Sequence, residues 1–220
     1  MTDLRTPANL LVAKIAGRVM HADEVAALSA VLPEWRVSAY GGVDAPETYV
    51  YIEPTPAGAL PAEAWAHPLA QIRQALSQVA SQVQAQEGAD ALPEASQAVA
   101  PALVLLAVVQ DIPGASAGRD AAWHYIVETD VVAEQDEALN DWYNREHLPG
   151  LASVPGTVRA RRCVCEQGGP RYHACYDLET RETFGSPPWL AVRATDWSSQ
   201  VRPAFRNTKR TMFKRIGEQG

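Results

Sequence analysis

Residues 157–178 read TVRARRCVCEQGGPRYHACYDL, and this stretch decides the fold. Thr157 to Glu166 and Arg171 to Leu178 are strand-like runs flanking Gln167-Gly168-Gly169-Pro170, a strong turn signal, so the two runs form a hairpin. Upstream, His124 to Val132 (HYIVETDVV) reads as a strand, and Glu134 to Leu151 as a helix ended by Pro155-Gly156. Downstream, Trp189 to Phe205 is a broken helical stretch between Pro187-Pro188 and Pro203, and Thr208 to Ile216 (TKRTMFKRI) reads as the closing strand. The second half therefore has the order β-α-β-β-α-β.

The first half has the same order. Leu10 to Ile15 (LLVAKI) is a short apolar strand, and His21 opens a helix whose apolar positions are Val25, Leu28, Val31 and Leu32. Trp35 to Tyr40 and Thr48 to Glu53 alternate at period two around Gly41-Gly42, and Pro54 and Pro56 stop the second run. Pro61 to Gln86 carries Leu69, Ile72, Leu76, Val79 and Val83 at helical spacing, and Ala102 to Val109 (ALVLLAVV) reads as a buried strand. The halves share element order and almost no residue identity.

Two such units predict an α+β fold of tandem ferredoxin-like domains, each an antiparallel four-stranded sheet with both helices on one face. The other sheet face must also be covered. Packing two sheets face to face as an α+β barrel, within the chain or between chains, solves that burial problem. The expected domains are 1–113 and 122–220. Residues 87–100 and 111–121 read as small-residue and Pro/Gly loops, the second as the domain linker.

The chain has 220 residues, 47% of them hydrophobic and 20% charged, which excludes disorder, collagen and fibre. A formal charge of −7 gives no drive towards nucleic acid or anionic membrane, and leaves a small molecule as the expected partner. The longest apolar run, Ala98 to Val109, contains Pro101 and is short of the roughly 20 residues that span a bilayer. Lys14 and Arg18 interrupt the apolar stretch near the start, so no leader is read there. Cys163, Cys165 and Cys175 form no CxxC and read as reduced thiols, so the expected location is cytoplasmic. Three of the five histidines and four of the six tryptophans lie in the second half, where a site is sought first.

The window with most chemistry is Glu137 to Arg162, EALNDWYNREHLPGLASVPGTVRARR. At 100° per residue Leu139, Trp142, Tyr143 and Glu146 share one helix face, with His147 at its edge. A carboxylate aimed at the core side needs a cation or neutralisation, and Arg159, Arg161 and Arg162 on the next strand are the candidates. Alternation puts Arg162 opposite Arg159 and Arg161. The plainer alternative is that Glu146 and His147 cap the helix end and pair with strand arginines. His124 and Glu128 share one strand face and Tyr125 and Val127 the other, and His173 and Cys175 face opposite to Tyr172, Ala174 and Tyr176.

Trp142-Tyr143-x-x-Glu146-His147-Leu148-Pro149, followed by Val154-Pro155-Gly156 and Arg159-Ala-Arg-Arg162, resembles the EthD-like members of the dimeric α+β barrel superfamily. In that family a WYxxEHxP helix precedes a PGF-x-x-ARRY strand. Here Thr157 and Cys163 stand where aromatics would be. The resemblance covers about residues 122–218, and the first half looks like a degenerate repeat. It implies a pocket between sheet and helices, usually cofactor-free, in which the motif histidine contacts ligand. Related barrels include polyketide monooxygenases, lactone isomerases, decarboxylases, dehydratases and haem-degrading enzymes, and the fold does not choose among them.

The resulting expectation is a cofactor-independent lyase or isomerase that moves a proton on a hydrophobic, oxygenated, phenolic or polyketide-like substrate. His147, Glu146 and Tyr143 are the candidate catalytic residues, and Trp142, Arg162, His124, Tyr125 and Tyr176 the candidate substrate contacts. The alternatives are a cofactor-free monooxygenase and a non-catalytic ligand-binding or assembly module. No metal site is expected, because Glu146 and His147 diverge by about 100° on a helix and no HxH, HxxxH or HxxE set adds a second ligand. Walker and GxGxxG sequences are absent. The basic run Arg202, Arg206, Lys209, Arg210, Lys214, Arg215 reads as a solvated or ion-paired face, and a homodimer is compatible with the fold.

Overall fold

The computed structural model describes residues 8–58, 60–87, 100–165 and 168–217. The chain divides into two compact units, Met1–Leu105 with Ile216–Gly220, and Leu106–Arg215. The first holds β1 (Leu10–Ala16), α1 (Ala22–Val31), β2 (Trp35–Gly42), β3 (Glu47–Pro54), α2 (Ala66–Glu87) and the start of β4 (Ala102–Pro113). β3 is flanked on both sides, Val50 standing opposite Ala13 of β1 and opposite Ala39 of β2, both antiparallel. Leu11, Ala13, Val50 and Ile52 on one sheet face pack with Val25 and Leu28 of α1 and with Ile72, Leu76 and Val79 of α2. The opposite face carries Leu10, Val12, Tyr49 and Tyr51, also buried. α1 opens with Glu24, whose carboxylate accepts from the His21 N–H at 2.8 Å and pairs with Arg18.

Several expectations here need correction. Val31 is 41% exposed, because the apolar stripe of α1 turns inward through Val25 and Leu28 and the chain leaves the helix at Leu32. The Gly41-Gly42 pair lies inside β2, and a short 3-10 turn, Ala62–Trp65, precedes α2. β4 continues to Pro113, and only Leu106 and Ala107 of it are buried. Asp111 to Pro113 are therefore strand, not linker, paired with Arg161 to Arg159 of the second unit's sheet. Residues 88–99 of the expected loop over 87–100, Gln167 of the hairpin turn and the Val83 side chain lie outside the described residues.

The second unit holds β5 (Trp123–Val131), α3 (Asp136–Trp142), α4 (Leu148–Ala152), β6 (Thr157–Val164), β7 (Tyr172–Leu178), α5 (Pro187–Arg193), α6 (Asp196–Val201) and β8 (Phe205–Ile216), with the end of β4 beside β6. Its antiparallel strand order is β8-β5-β7-β6-β4. The order β-α-β-β-α-β is observed, with both helical stretches broken. Tyr125, Val127, Ala160, Tyr172, Ala174, Tyr176 and Met212 form the sheet face that packs on Leu139, Trp142, Leu148, Leu151 and Trp189. The alternation at period two puts His124, Glu128, Cys163, His173 and Cys175 on the opposite face, all buried. α5 and α6 start on Ser186 and Thr195, whose hydroxyls accept the N–H of Trp189 and Ser198. The turn into β6 depends on Gly156, at φ +93° and so close to Thr183 that a Cβ would lie 2.2 Å from its hydroxyl. The three cysteines are free thiols. Among the described residues no helix is long and apolar enough to cross a membrane.

Candidate active site

The segment expected as one helix over Glu134 to Leu151 is three pieces. A 3-10 turn leads into α3, residues Tyr143–His147 make one π-helical turn, and α4 continues from Leu148. The N–H of Leu148 donates to the carbonyl of Tyr143, five residues back. Pro149 gives the physical reason. It has no N–H to return to Arg145, and its ring would crowd that carbonyl in a regular α-helix, so the turn before it widens. Each residue of a π turn advances by less than 100°, which swings the following side chains around the axis. His147 consequently points inward and is buried, while Glu146 is only partly buried. This reverses the order that regular spacing predicts.

His147 lies flat on Trp142, ring centroids 4.1 Å apart and planes 20° from parallel, with the Tyr143 ring edge-on at 5.3 Å. These rings, with Tyr125 and Tyr176 from the sheet and Trp189 from α5, line a cavity of about 30 Å³, the size of a single water. Burial, and then the charges of Arg193, Arg202 and Arg162, push the imidazole down to about 3, so at neutral pH it is an uncharged base. Its Nδ1 is buried and has no hydrogen-bond partner among the described residues. Burial pushes the Tyr143 phenol up to about 12, the nearby Arg162 charge acting against it, and burial likewise raises Tyr176 and Tyr125. All three phenols therefore stay protonated and can donate. The Tyr176 hydroxyl and the Trp189 indole N–H are buried without a partner among the described residues. Unmade donors of this kind cost about 1–3 kcal/mol each, so they are groups that a ligand would satisfy.

Of the residues expected at the site, Tyr125, Trp142, Tyr143, His147 and Tyr176 line this cavity. Glu146 does not. Its Oε1 accepts from Trp142 Nε1 at 3.1 Å and Thr195 Oγ1 at 2.6 Å, so two neutral donors hold it and no strand arginine does. Through Trp142 it fixes the ring against which His147 stacks.

Arg162 does not line the cavity either. Its guanidinium lies 3.9 Å from the centroid of the Tyr143 ring and 4.6 Å from that of Tyr172. Nη2 donates to Asn140 Oδ1 at 3.0 Å, and Asn140 and Tyr172 both donate to Asp136. Arg162 therefore braces Tyr143 from behind. Arg159 instead pairs with Asp111 across the β4–β6 ladder.

His124 is on the wrong face. Its Nδ1 lies 2.7 Å from Asp177 Oδ1, on the sheet side opposite to Tyr125. Burial opposes the charge on this imidazole, but hydrogen bonds to Asp177 and Cys175 outweigh it and raise His124 to about 9. The companion Asp177 carboxyl is desolvated, yet the His124 contact holds it below its ordinary value. His124 and Asp177 are thus a buried ion pair of the fold. Among the described residues, no group of three or more His, Cys, Asp or Glu is placed to hold a metal ion.

Seven lining residues were not among the expected contacts: the apolar Val127, Leu151 and Phe205, and Trp189, Arg193, Arg202 and Arg210. Arg202 and Arg210 belong to the basic run that reads as a solvated or ion-paired face; Arg210 is exposed and Arg202 partly so, and both also line the cavity. Arg210 stands opposite Val127 in the β5–β8 ladder, so period-two alternation carries it to the helix-facing side with Tyr125 and Met212. The first unit has a larger cavity, about 260 Å³, lined among others by Ile15, Met20, Leu76 and Val79. No histidine or aromatic ring is among its described lining residues.

No family model matches the sequence, and no curated protein matches it. Solved structures do. The "putative monooxygenase" of Fusobacterium nucleatum superposes with a TM-score of 0.62 at 11% identity, covering 99% of this chain and 97% of that one. A "putative monooxygenase" of Lactobacillus acidophilus gives 0.62 at 10% identity, covering 98% of each chain. An anthrone oxidase-like protein gives 0.58 at 12% identity, covering 95% of this chain and 92% of that one. The chain shares the α+β fold of these proteins. At such identities the likeness concerns the fold alone, and the chemistry rests on the residues around His147.

Proposed function

We propose that the protein is an enzyme that removes a proton from a small, oxygenated, enolisable or phenolic substrate, without a cofactor, at the His147 cavity of the second unit. The observation that carries this is the His147 imidazole: uncharged, held flat against Trp142, its Nδ1 unpartnered, beside the hydroxyl-bearing rings of Tyr125, Tyr143 and Tyr176. A neutral imidazole is a general base, and protonated phenols are donors for the oxyanion left behind. His147 is a weak base while the cavity is empty of anion. Burial is the larger cause of that weakness and the arginine charges the smaller; negative charge developing on the substrate offsets the arginine part, so the basicity of His147 rises as the proton moves. Returning the proton to another atom gives isomerisation, and expelling a leaving group gives elimination.

A second outcome of the same first step is oxygenation, favoured by the names of the structural neighbours. An anthrone-type enolate can react directly with O₂, anthrone plus O₂ giving anthraquinone plus water.

The test uses anthrone and a panel of enolisable lactones and phenols in D₂O. Under argon, NMR should show deuterium entering the acidic C–H position faster than without protein. His147→Gln should reduce that excess rate by roughly 10²–10⁴-fold. Oxygen uptake in air then separates monooxygenation from isomerisation or elimination. If no compound exchanges above the protein-free control, or if His147→Gln matches the unsubstituted protein, the reading fails.

A further inference from the structure

Among the described residues the cavity lining contains Arg193, Arg202 and Arg210 and no carboxylate. They come from three elements, the last turn of α5, the 3-10 turn after α6, and β8. Each reaches solvent at least in part, whereas Trp142, Tyr143, Tyr176 and Trp189 are buried, so the guanidinium groups mark the solvent side of the cavity. Other arginines of the chain do meet carboxylates: Arg18 with Glu24, Arg36 with Glu53, Arg119 with Glu179, Arg145 with Asp141 and Arg159 with Asp111. These three have no carboxylate partner among the described residues, and Arg202 spends one donor on the Ser198 carbonyl at 3.0 Å. Three like charges around one small cavity repel one another unless an anion joins them. The planar guanidinium fork matches a carboxylate in geometry as well as charge.

We propose that the substrate is an aryl or enolic carboxylate, its carboxylate held by Arg193, Arg202 and Arg210 and its ring or enol end directed to His147 between Trp142, Tyr143 and Tyr176. This rests on reading the His147 cavity as a substrate site, but binding of the anion requires no turnover. The cavity as it stands admits only a water-sized group, so entry of a ring requires the aromatic lining to move apart, and the arginines are where a carboxylate makes first contact. The same positive field favours the enolate over its neutral parent, which ties anion binding to the proton-transfer step.

The test compares 6-hydroxy-2-naphthoate with 6-hydroxy-2-naphthamide, which share shape and phenol and differ in charge, by isothermal titration calorimetry on the full chain. The carboxylate should bind roughly 10-fold or more tightly than the amide, and its affinity should fall with added salt. Arg193→Gln and Arg210→Gln should each weaken the carboxylate roughly 10-fold and leave the amide within about twofold, with Arg210→Lys intermediate. Melting curves on each preparation confine the comparison to folded protein, and Arg210→Lys keeps the charge should the glutamine variant not fold. Equal binding of the two probes, equal losses for both in the arginine variants, or no binding of the carboxylate at millimolar concentration overturns the proposal. Selective carboxylate binding without any deuterium exchange would reject the catalytic reading and leave this one standing.

Discussion

Acid should destabilise this protein through His147 well before its carboxylates titrate. In the folded chain burial and three arginines push the imidazole down to about 3, against an ordinary value of 6.5. Below pH 6.5 the unfolded chain takes up a proton that the folded chain refuses, so stability is intact above 6.5 and falls as the pH drops towards 3. The linkage relation gives a loss of about 2 kcal/mol between pH 7 and pH 5, and about 4–5 kcal/mol by pH 3. Glu24, Asp111 and Asp177, all held below their ordinary values, lose their contributions only at lower pH. Between pH 7 and 5 the raised pKa of His124 adds an opposing gain of about 0.8 kcal/mol, so the His147 contribution is read as the difference between the unsubstituted protein and His147→Gln. Urea denaturation followed by fluorescence of the buried Trp142 and Trp189 at pH 5, 6 and 7 should show a net loss of about 1 kcal/mol from pH 7 to 5 in the unsubstituted protein. His147→Gln should be weaker at pH 7, having lost the stack on Trp142, but should not weaken towards pH 5, the difference between the two proteins changing by about 2 kcal/mol across the window. NMR should show an imidazole that does not titrate between pH 5 and 8. The reasoning is refuted if both proteins lose the same stability from pH 7 to 5, or if the His147 resonance titrates near 6.5.

His124 should act in the opposite direction: its pKa is raised to about 9, so its pairing with Asp177 is fully present below pH 6.5 and is lost as the pH rises through 9. The unsubstituted protein should weaken between pH 7 and 9, and His124→Gln should be less stable but flat over that range. Glu146→Gln preserves the oxygen that accepts from Trp142 and Thr195, so turnover per folded molecule should stay within a few fold, measured with melting temperature on one preparation. A loss of roughly 10² or more would instead make Glu146 a proton carrier. Tyr176→Phe removes a buried hydroxyl without a partner among the described residues, and should raise stability by about 1 kcal/mol in denaturation while lowering deuterium exchange at least several fold.

Element order was legible because each strand and hairpin announces itself locally, in alternation at period two and in Gly/Pro turns such as 168–170. The same alternation separated Tyr125 and Tyr176 from His124 and His173, and the structure keeps those faces. It also implied that His124 and Tyr125 could not both reach one pocket, a constraint that the expected list of substrate contacts did not honour. The limit of β4 was missed because Gln110 to Pro113 look like a loop in isolation and become strand only by pairing with β6.

The identity of the inward-facing group was decided by backbone geometry that composition does not encode directly. A 100° wheel puts Glu146 inside, and the π turn forced ahead of Pro149 puts His147 there instead. The proline in EHLP is the one local sign of it. The three arginines lie at positions 193, 202 and 210, on three different elements, and although alternation along β8 separates Arg210 from Arg215, nothing along the chain brings the three together. Sequence by itself determined the elements, their order and the faces of each strand, since these follow from short-range sterics and the burial of apolar side chains. Only the tertiary structure decided which charges are shielded by a carboxylate and which are left to face a cavity, because that depends on residues brought together by folding rather than by sequence.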